Sequence, residues 1–350
     1  MYPSNKDKTY GTFVRMFKEG IEENCCDIHF DSCFIKGRAH NKMVKLCVYV
    51  MFYCKIAFKI LFHKYDIVYN HQITHTAPVL RVCRYFKKFR LVMNIHGSDV
   101  VTITKLSAVL LEIAKPLLRS CELIVVPSEY FKTVVIEKIK GIAPDKFFVS
   151  ASGGVDKKIF YPKSERKLSN RIVYVSRIDE GKGWLTLLKA LAMLNSKGEL
   201  VNKRCDFYGI GNQVSTLVAA IIELGLSNIC VYHGPKTHDE LSEIFNTCDV
   251  MVFPTELNES LGLVGLEAMA CGCPVIGSNI GCLPEFIRPG YNGWLFTPCD
   301  VEALAKAISD FYLCYDKEIY RLSKNSLKMA DSYEKNNVAK KIAARLLRLE

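Results

Sequence analysis

Apolar positions along the chain fall into short solid runs that alternate with longer segments of helical period. Runs at 27–35, 66–70, 91–95, 123–127 and 147–150 predict strands. Helices are expected between and around them, over 12–24, 42–63, 78–86, 103–118 and 130–140. Fully apolar strands separated by helices are the pattern of a parallel sheet covered on both faces. The alternation resumes at Arg171, where a strand ends at Ser176, and further strands run up to Gly209 and to Gly234. The run 250–254 then passes into a polar loop with Glu256, Asn258 and Glu259, a helix from near Gly262 to Gly272, and a second run at 274–277. Such a unit places its loop at the carboxyl end of a strand, where open parallel sheets bind ligands. Asn292-Gly293 is a hairpin turn signal, Asp300 caps a helix from Val301, and a last helix is expected over 337–349.

Length and charge divide this α/β chain. At 350 residues with 49% apolar content, two domains with separate cores are expected. Residues 1–165 carry 26 Lys and Arg against 15 Asp and Glu, whereas 166–350 carry 21 of each, so the whole excess of +11 lies in the first part. A boundary near 165 follows, with Gly153, Gly154, Pro162, Lys163, Ser164 and Glu165 as a hinge. A basic half implies an acidic partner such as a membrane surface, a lipid diphosphate or a nucleic acid, but no nucleic-acid-binding motif accompanies it. No run of 18 uncharged apolar residues is present, which excludes a helical span. The start shows no apolar signal region. The 15 cysteines include no C-x-x-C pair, so they suit neither zinc nor a disulfide framework and read as reduced cytosolic thiols. The 42–63 helix is apolar on most faces and carries Lys45, Lys55 and Lys59. It suits a buried crossover helix with snorkelling lysines better than a membrane-surface helix.

Candidate chemistry gathers at strand ends. Glu259 stands just before the helix at Gly262 and Glu267 lies inside it, while Gly262 and Leu263 offer backbone N–H groups at the helix N-terminus. That is an anion site. Arg177 and Lys182 follow a strand in a glycine-bearing loop ahead of a helix, which suits a diphosphate. Gly209 and Gly211 match the first two glycines of a dinucleotide fingerprint, but Val214 stands at the third. Gly11 precedes the first helix, His71 and His75 follow one strand, and His96, Gly97, Ser98 and Asp99 end another. The phosphate-loop pattern G-x-x-x-x-G-K-[ST] and the acidic pair D-x-D are both missing.

The words E-S-L-G-L-V-G-L-E-A-M-A-C-G-C-P-V-I, H-G-S-D, R-I-D-E-G-K-G and S-G-G-V-D-K-K-I-F-Y-P resemble the retaining glycosyltransferases of the GT-B fold, family 4 (glycosyl transferases group 1) type. The resemblance covers nearly the whole chain and is strongest over 171–308. It implies two Rossmann-like domains with parallel sheets facing across a cleft: an acceptor-side domain at 1–165, a nucleotide-sugar domain at 166–330, and a helix at 331–350 crossing back to the first. It implies that Arg177 and Lys182 grip the donor diphosphate, Glu259 and His96 contact the reacting sugar, and Glu267 binds the ribose. Gly11, Gly209, Gly211, Asp99, Gly262 and Leu263 would lie along the donor. The expected reaction retains the anomeric configuration and needs neither metal nor cofactor, the nucleotide sugar being a substrate. The acceptor would be a glycan or lipid-linked, in cell-surface polysaccharide synthesis. The protein would be cytoplasmic, at the inner face of the cell membrane, without nucleic acid.

A sugar-nucleotide epimerase of the same fold class stands beside this reading, and turnover of donor without acceptor would reveal it. A non-catalytic sugar-nucleotide-binding protein is a second alternative, and a nucleotide-dependent oxidoreductase is disfavoured by the incomplete glycine fingerprint. One further expectation concerns the start. A Rossmann-like domain opens on a buried central strand, whereas here Tyr2, Pro3 and Ser4 follow Met1 directly. The first strand is expected to be missing, through a late start or truncation.

Overall fold

The structure, a computed structural model, describes residues 2–3, 11–37, 41–97, 99–101, 104–164 and 168–349. Ser4, Ser98, Ile103 and Glu165 lie outside the described residues. In chain order the elements begin with α1 (Thr12–Asn24), α2 (Lys42–Phe62), β1 (Ile67–His71), α3 (Ile73–Phe86), β2 (Arg90–Asn94), α4 (Lys105–Ser120), β3 (Leu123–Val126), α5 (Glu129–Lys138) and β4 (Phe147–Val149). There follow β5 (Arg171–Val175), α6 (Trp184–Ser196), β6 (Arg204–Tyr208), α7 (Val214–Glu223), β7 (Cys230–Tyr232), α8 (His238–Thr247) and β8 (Val250–Phe253). The chain closes with α9 (Leu263–Ala270), β9 (Val275–Ser278), α10 (Leu283–Phe286), β10 (Gly293–Phe296), α11 (Val301–Tyr312), α12 (Asp316–Asp331) and α13 (Lys335–Leu347).

Two compact units result. The first comprises residues 1–154 and 335–350, the second 155–334. The chain passes to the second unit before 165, because the exit segment packs there. The Val155 N–H donates to Tyr333 O at 2.8 Å, and the ring of buried Phe160 meets that of Phe245.

The first unit is a parallel sheet in the order β1-β2-β3-β4. Successive residues of β2 enter opposite cores, as period-two side chains must. Leu91 and Met93 join Ile73, Leu80, Leu117 and Phe131, while Val92 joins Phe17, Ile21, Ile342 and Leu346. Thus α13 belongs to this unit and packs beside α1.

Three expectations for this unit are corrected. The stretch 27–35 forms no strand; only Lys36, just past it, bridges Tyr2. An apolar run with no neighbour to pair with gains no ladder. Helix α3 starts at Ile73 instead of Pro78, because a proline this near the helix start removes only its own intrahelical bond and can lie inside it; Thr76 Oγ1 donates to Asn70 Oδ1 at 2.8 Å. Helix α2 is not buried. Only Phe52 and Ile60 are, while Met43, Val50, Met51, Phe58 and Phe62 stand exposed. A helix apolar on most faces covers the sheet with one face and leaves the other outward.

The second unit is a parallel sheet ordered β10-β9-β8-β5-β6-β7. From central β5 the chain moves outward through β6 and β7, then returns to β8 on the other side of β5 and moves outward again. The switch point therefore lies between β5 and β8. Its core gathers Tyr174, Leu187, Leu191, Phe207, Val252, Ile276 and Phe311. Asn292-Gly293 makes no hairpin, because β10 pairs parallel to β9. Asn292 is instead buried, its side chain bonding the Arg288 N–H and the Phe286 carbonyl, each at 2.8 Å.

Candidate functional site

The loops following β5 and β8 flank the switch point of the second unit, and the expected diphosphate and sugar residues lie on them. Lys182 Nζ donates to Glu259 Oε1 at 2.6 Å, with both side chains largely buried. Thr255 Oγ1 donates to the same carboxylate oxygen at 3.0 Å. Backbone contact locks the two loops together. The Glu256 N–H donates to Gly181 O at 2.8 Å, and a Cβ on Gly183 would stand 1.7 Å from Pro254 O, so only glycine fits where Lys182 leads into α6.

The loop after β6 lies against the same place. The Ile178 N–H donates to Ile210 O at 2.9 Å and the Asn212 N–H to Asp179 Oδ1 at 2.8 Å. Gly209 has φ 139°, and a Cβ there would sit 1.8 Å from Ser176 O. Gly211 is as tightly placed against Ile178 O. The two glycines thus allow loop-to-loop packing, which explains a half fingerprint without a third glycine. Arg177 points outward, with 67% of its side chain exposed, and its guanidinium pairs with Asp179 at 2.7 Å. It does not share the Lys182–Glu259 pair.

Gly262 is the N-cap of α9, and among the described residues the backbone N–H groups of Gly262 and Leu263 meet no acceptor. One turn on, Glu267 is 8% exposed in a helix otherwise lined by buried Leu266, Ala268 and Met269. Its carboxyl has no hydrogen-bond partner among the described residues, and burial pushes its pKa up to about 8.

The histidines form a separate cluster in the first unit, at the carboxyl ends of β1 and β2. His71 Nδ1 and His96 Nε2 are 2.9 Å apart, with the rings stacked at 5.2 Å. Ser152 Oγ lies 3.3 Å from His96 Nδ1, and the Phe13 ring lies 4.5 Å from that of His96. Burial lowers the His96 pKa to about 3 and that of His71 well below its ordinary value. Both imidazoles are therefore neutral, and one donates to the other. Asp99 is buried and accepts the backbone N–H of His96 at 3.0 Å, holding the loop; burial raises its pKa to about 7. Gly11, with φ 74°, is the N-cap of α1 and accepts the Val14 N–H. His75 stands apart, beside Tyr49. Sequence reasoning passed over Thr255, Asp179, Gly183 and Phe13. Gly183 carried a signal in the G-K-G word; the others carried none. Among the described residues, no three His, Cys, Asp or Glu side chains are grouped to hold a metal ion.

Residues 156–329 match the family model of glycosyl transferases group 1. This stretch of the chain belongs to that family. It is 32% identical over 173 residues to a D-inositol 3-phosphate glycosyltransferase of Paenarthrobacter aurescens, covering 46% of this chain and 42% of the relative. An N-acetyl-alpha-D-glucosaminyl L-malate synthase of Bacillus anthracis is 23% identical over 263 residues, covering 71% and 66%. The match thus spans about two-fifths of the first relative's length. Among solved structures, Anabaena HepE in complex with UDP and glucose superposes with a TM-score of 0.74 at 19% identity, covering 99% of this chain and 98% of that one. The fold of the chain is GT-B.

Proposed function

We propose that the protein is a glycosyltransferase that moves a hexose from a nucleotide-sugar donor to a glycan or lipid-linked acceptor, with retention and without a metal ion. The observation that carries this is the Lys182–Glu259 pair at the switch point, beside the N–H groups of Gly262 and Leu263, which meet no acceptor among the described residues. One cation, one carboxylate and a helix N-terminus together provide for a leaving diphosphate and a sugar hydroxyl. The bound UDP named for the Anabaena neighbour supports the donor class.

In this reading, the bond from the sugar C1 to the donor phosphate oxygen breaks and a bond from C1 to the acceptor oxygen forms on the same face. The acceptor proton passes to the leaving phosphate. Lys182, Arg177 and the α9 N-terminus take up the charge developing on the phosphate. Glu259 accepts from sugar hydroxyls, the neutral His96 hydrogen-bonds the reacting sugar, and Glu267 accepts from the ribose. The exposed apolar face of α2 and the basic first unit favour work at an anionic membrane surface in cell-surface polysaccharide synthesis; among the described residues no helix is long and apolar enough to cross a membrane.

The test is a thermal-shift screen of nucleotide sugars, followed by turnover assays of the stabilising donor with lipid-linked and soluble acceptors. Binding of one donor with acceptor-dependent release of nucleotide supports the assignment. Conversion of donor to an epimer without acceptor overturns it, as does failure to bind any nucleotide sugar.

A further inference from the structure

His71 closes β1 and pairs across the ladder with Asn94 of β2. The ladder continues one step, since the Ile95 N–H donates to Val125 O at 2.9 Å. His96, two residues past Asn94, therefore faces the same side of the sheet as His71. That facing is what brings His71 Nδ1 to 2.9 Å from His96 Nε2. Helix α1 backs both rings. Phe13 and Phe17 are four residues apart and share a helix face. Their rings lie 4.5 Å from that of His96 and 4.8 Å from that of His71.

The other nitrogen of His96 is held more loosely. Ser152 Oγ stands 3.3 Å from His96 Nδ1, just beyond the ordinary range of about 2.7–3.2 Å. Ser152 is carried there against its own preference. It has φ 55°, in the left-handed region that favours glycine. Gly153 beside it is pressed against α1, where a Cβ would stand 2.9 Å from Met16 Cβ. Strained residues of this kind cluster at functional sites.

The proton count couples the two rings. Each neutral imidazole carries one N–H, and the contact between His71 Nδ1 and His96 Nε2 holds a single proton. If His96 is protonated on Nδ1, His71 must donate from its own Nδ1. If His96 is protonated on Nε2, His71 accepts at Nδ1 and keeps its proton on Nε2. Both rings are thus in the same tautomer, and each fixes the other's.

We propose that His71 is a positioning residue for His96. It occupies Nε2, fixes the plane and tautomer of the ring, and leaves Nδ1 as the atom that meets the reacting sugar. Ser152 Oγ is then the group that a sugar hydroxyl displaces. This rests on the reading that His96 contacts that sugar.

The test reads the ring nitrogens by NMR in the histidine-labelled 1–350 chain, at about pH 8, where unshifted histidines are neutral as well. His71→Asn and His96→Asn assign the two rings. Without ligand, both rings should carry the proton on the same-named nitrogen, and His71→Phe should leave His96 averaging between tautomers. Turnover is then measured with the donor that the nucleotide-sugar screen selects. His71→Phe should lower kcat by about tenfold or more, with little change in donor KM, because it loosens a group at the reacting centre. His71→Asn, whose amide reaches the place of Nδ1, should restore most of that loss. His71→Gln, whose amide reaches the place of Nε2 instead, should not. The donor should move the Nδ1 resonance of His96 and leave its Nε2 in place. Opposite tautomers in the two rings, wild-type kcat in His71→Phe, or a donor shift at His96 Nε2 overturns the assignment. If no nucleotide sugar binds, the site reading fails and the positioning role falls with it, even where the tautomers match.

Discussion

Lys182 Nζ lies 2.6 Å from Glu259 Oε1, so the cation expected at the diphosphate and the carboxylate expected at the sugar are one hydrogen-bonded pair. The contact joins the loops after β5 and β8 across the switch point of the sheet. Each partner holds the other's rotamer, and Thr255 holds the carboxylate from a third side.

The first prediction follows from that pair. Lys182→Ala and Glu259→Ala should each lower kcat by about 10²-fold or more, the scale of losing one partner to developing charge. Because the two side chains act as a unit, the double variant should cost far less than the product of the single effects. Folding stability should drop by about 1.5–3 kcal/mol in either single variant, the range for a hydrogen bond to a charged group. Strict additivity in kcat would show that the pair is not shared in the transition state.

Glu267 gives a pH dependence whose sign is fixed. Its folded pKa of about 8 exceeds the unfolded value, so the folded chain keeps a proton that the unfolded chain releases. Its contribution to stability is complete below the ordinary carboxyl range and is lost as pH rises towards 8. Glu267→Gln cannot ionise and should lose less stability over that window. Its thermal midpoint should therefore gain on the wild type between pH 5 and pH 8, while its affinity for donor falls. Parallel midpoints across the window would show that Glu267 is ionised in the fold.

The histidine pair carries the opposite sign. His96, at about 3, and His71 are depressed by burial, so they stabilise the fold above the ordinary histidine range, and this is lost as pH falls. In catalysis His96 should act as a neutral hydrogen-bonding group. The pH profile of kcat should show no step near 6.5 attributable to it, although His96→Ala lowers kcat. A wild-type acid limb near 6.5 that disappears in His96→Asn would overturn the neutral assignment.

Much of this was legible in the sequence because it is local. Strand runs such as 91–95 and 123–126 are solid blocks, and loop residues such as Arg177, Lys182 and Glu259 sit directly after them. What was not legible is long-range. Lys182 and Glu259 could be listed but not paired, since the topology that adjoins β5 and β8 brings them together. His71 was visible as a strand-end residue, but its stacking on His96 depends on the β1–β2 register. The stretch 27–35 has strand composition and no strand, because a strand is a property of two chains of backbone. Charge likewise located the two-part division but not its boundary, which hydrogen bonds such as that from Val155 to Tyr333 decide.

The last prediction concerns α2. Met43, Cys47, Val50, Met51, Cys54, Phe58 and Phe62 recur at three- and four-residue spacing, so they form one apolar stripe, and all are exposed. The helix also carries Lys42, Lys45, Lys55 and Lys59 and no acid. At its C-terminal end Lys87 Nζ donates to Ile60 O at 2.8 Å, and Tyr85 and Phe86 of α3 are exposed as well. Aromatic and aliphatic side chains flanked by lysines are the composition of a helix that lies in a lipid interface. The chain should co-sediment with anionic vesicles, bind neutral ones more weakly, and release as salt rises, since each interfacial lysine contributes about 1 kcal/mol. Phe58→Ser with Phe62→Ser should weaken binding about tenfold or more while leaving salt dependence in place, because burying one such side chain is worth about 1.5–3 kcal/mol. Lys42→Gln with Lys55→Gln should do the reverse, reducing the salt dependence and the preference for anionic lipid. Binding that ignores vesicle charge, or that survives loss of both phenylalanines, would remove α2 as the contact and favour a soluble acceptor.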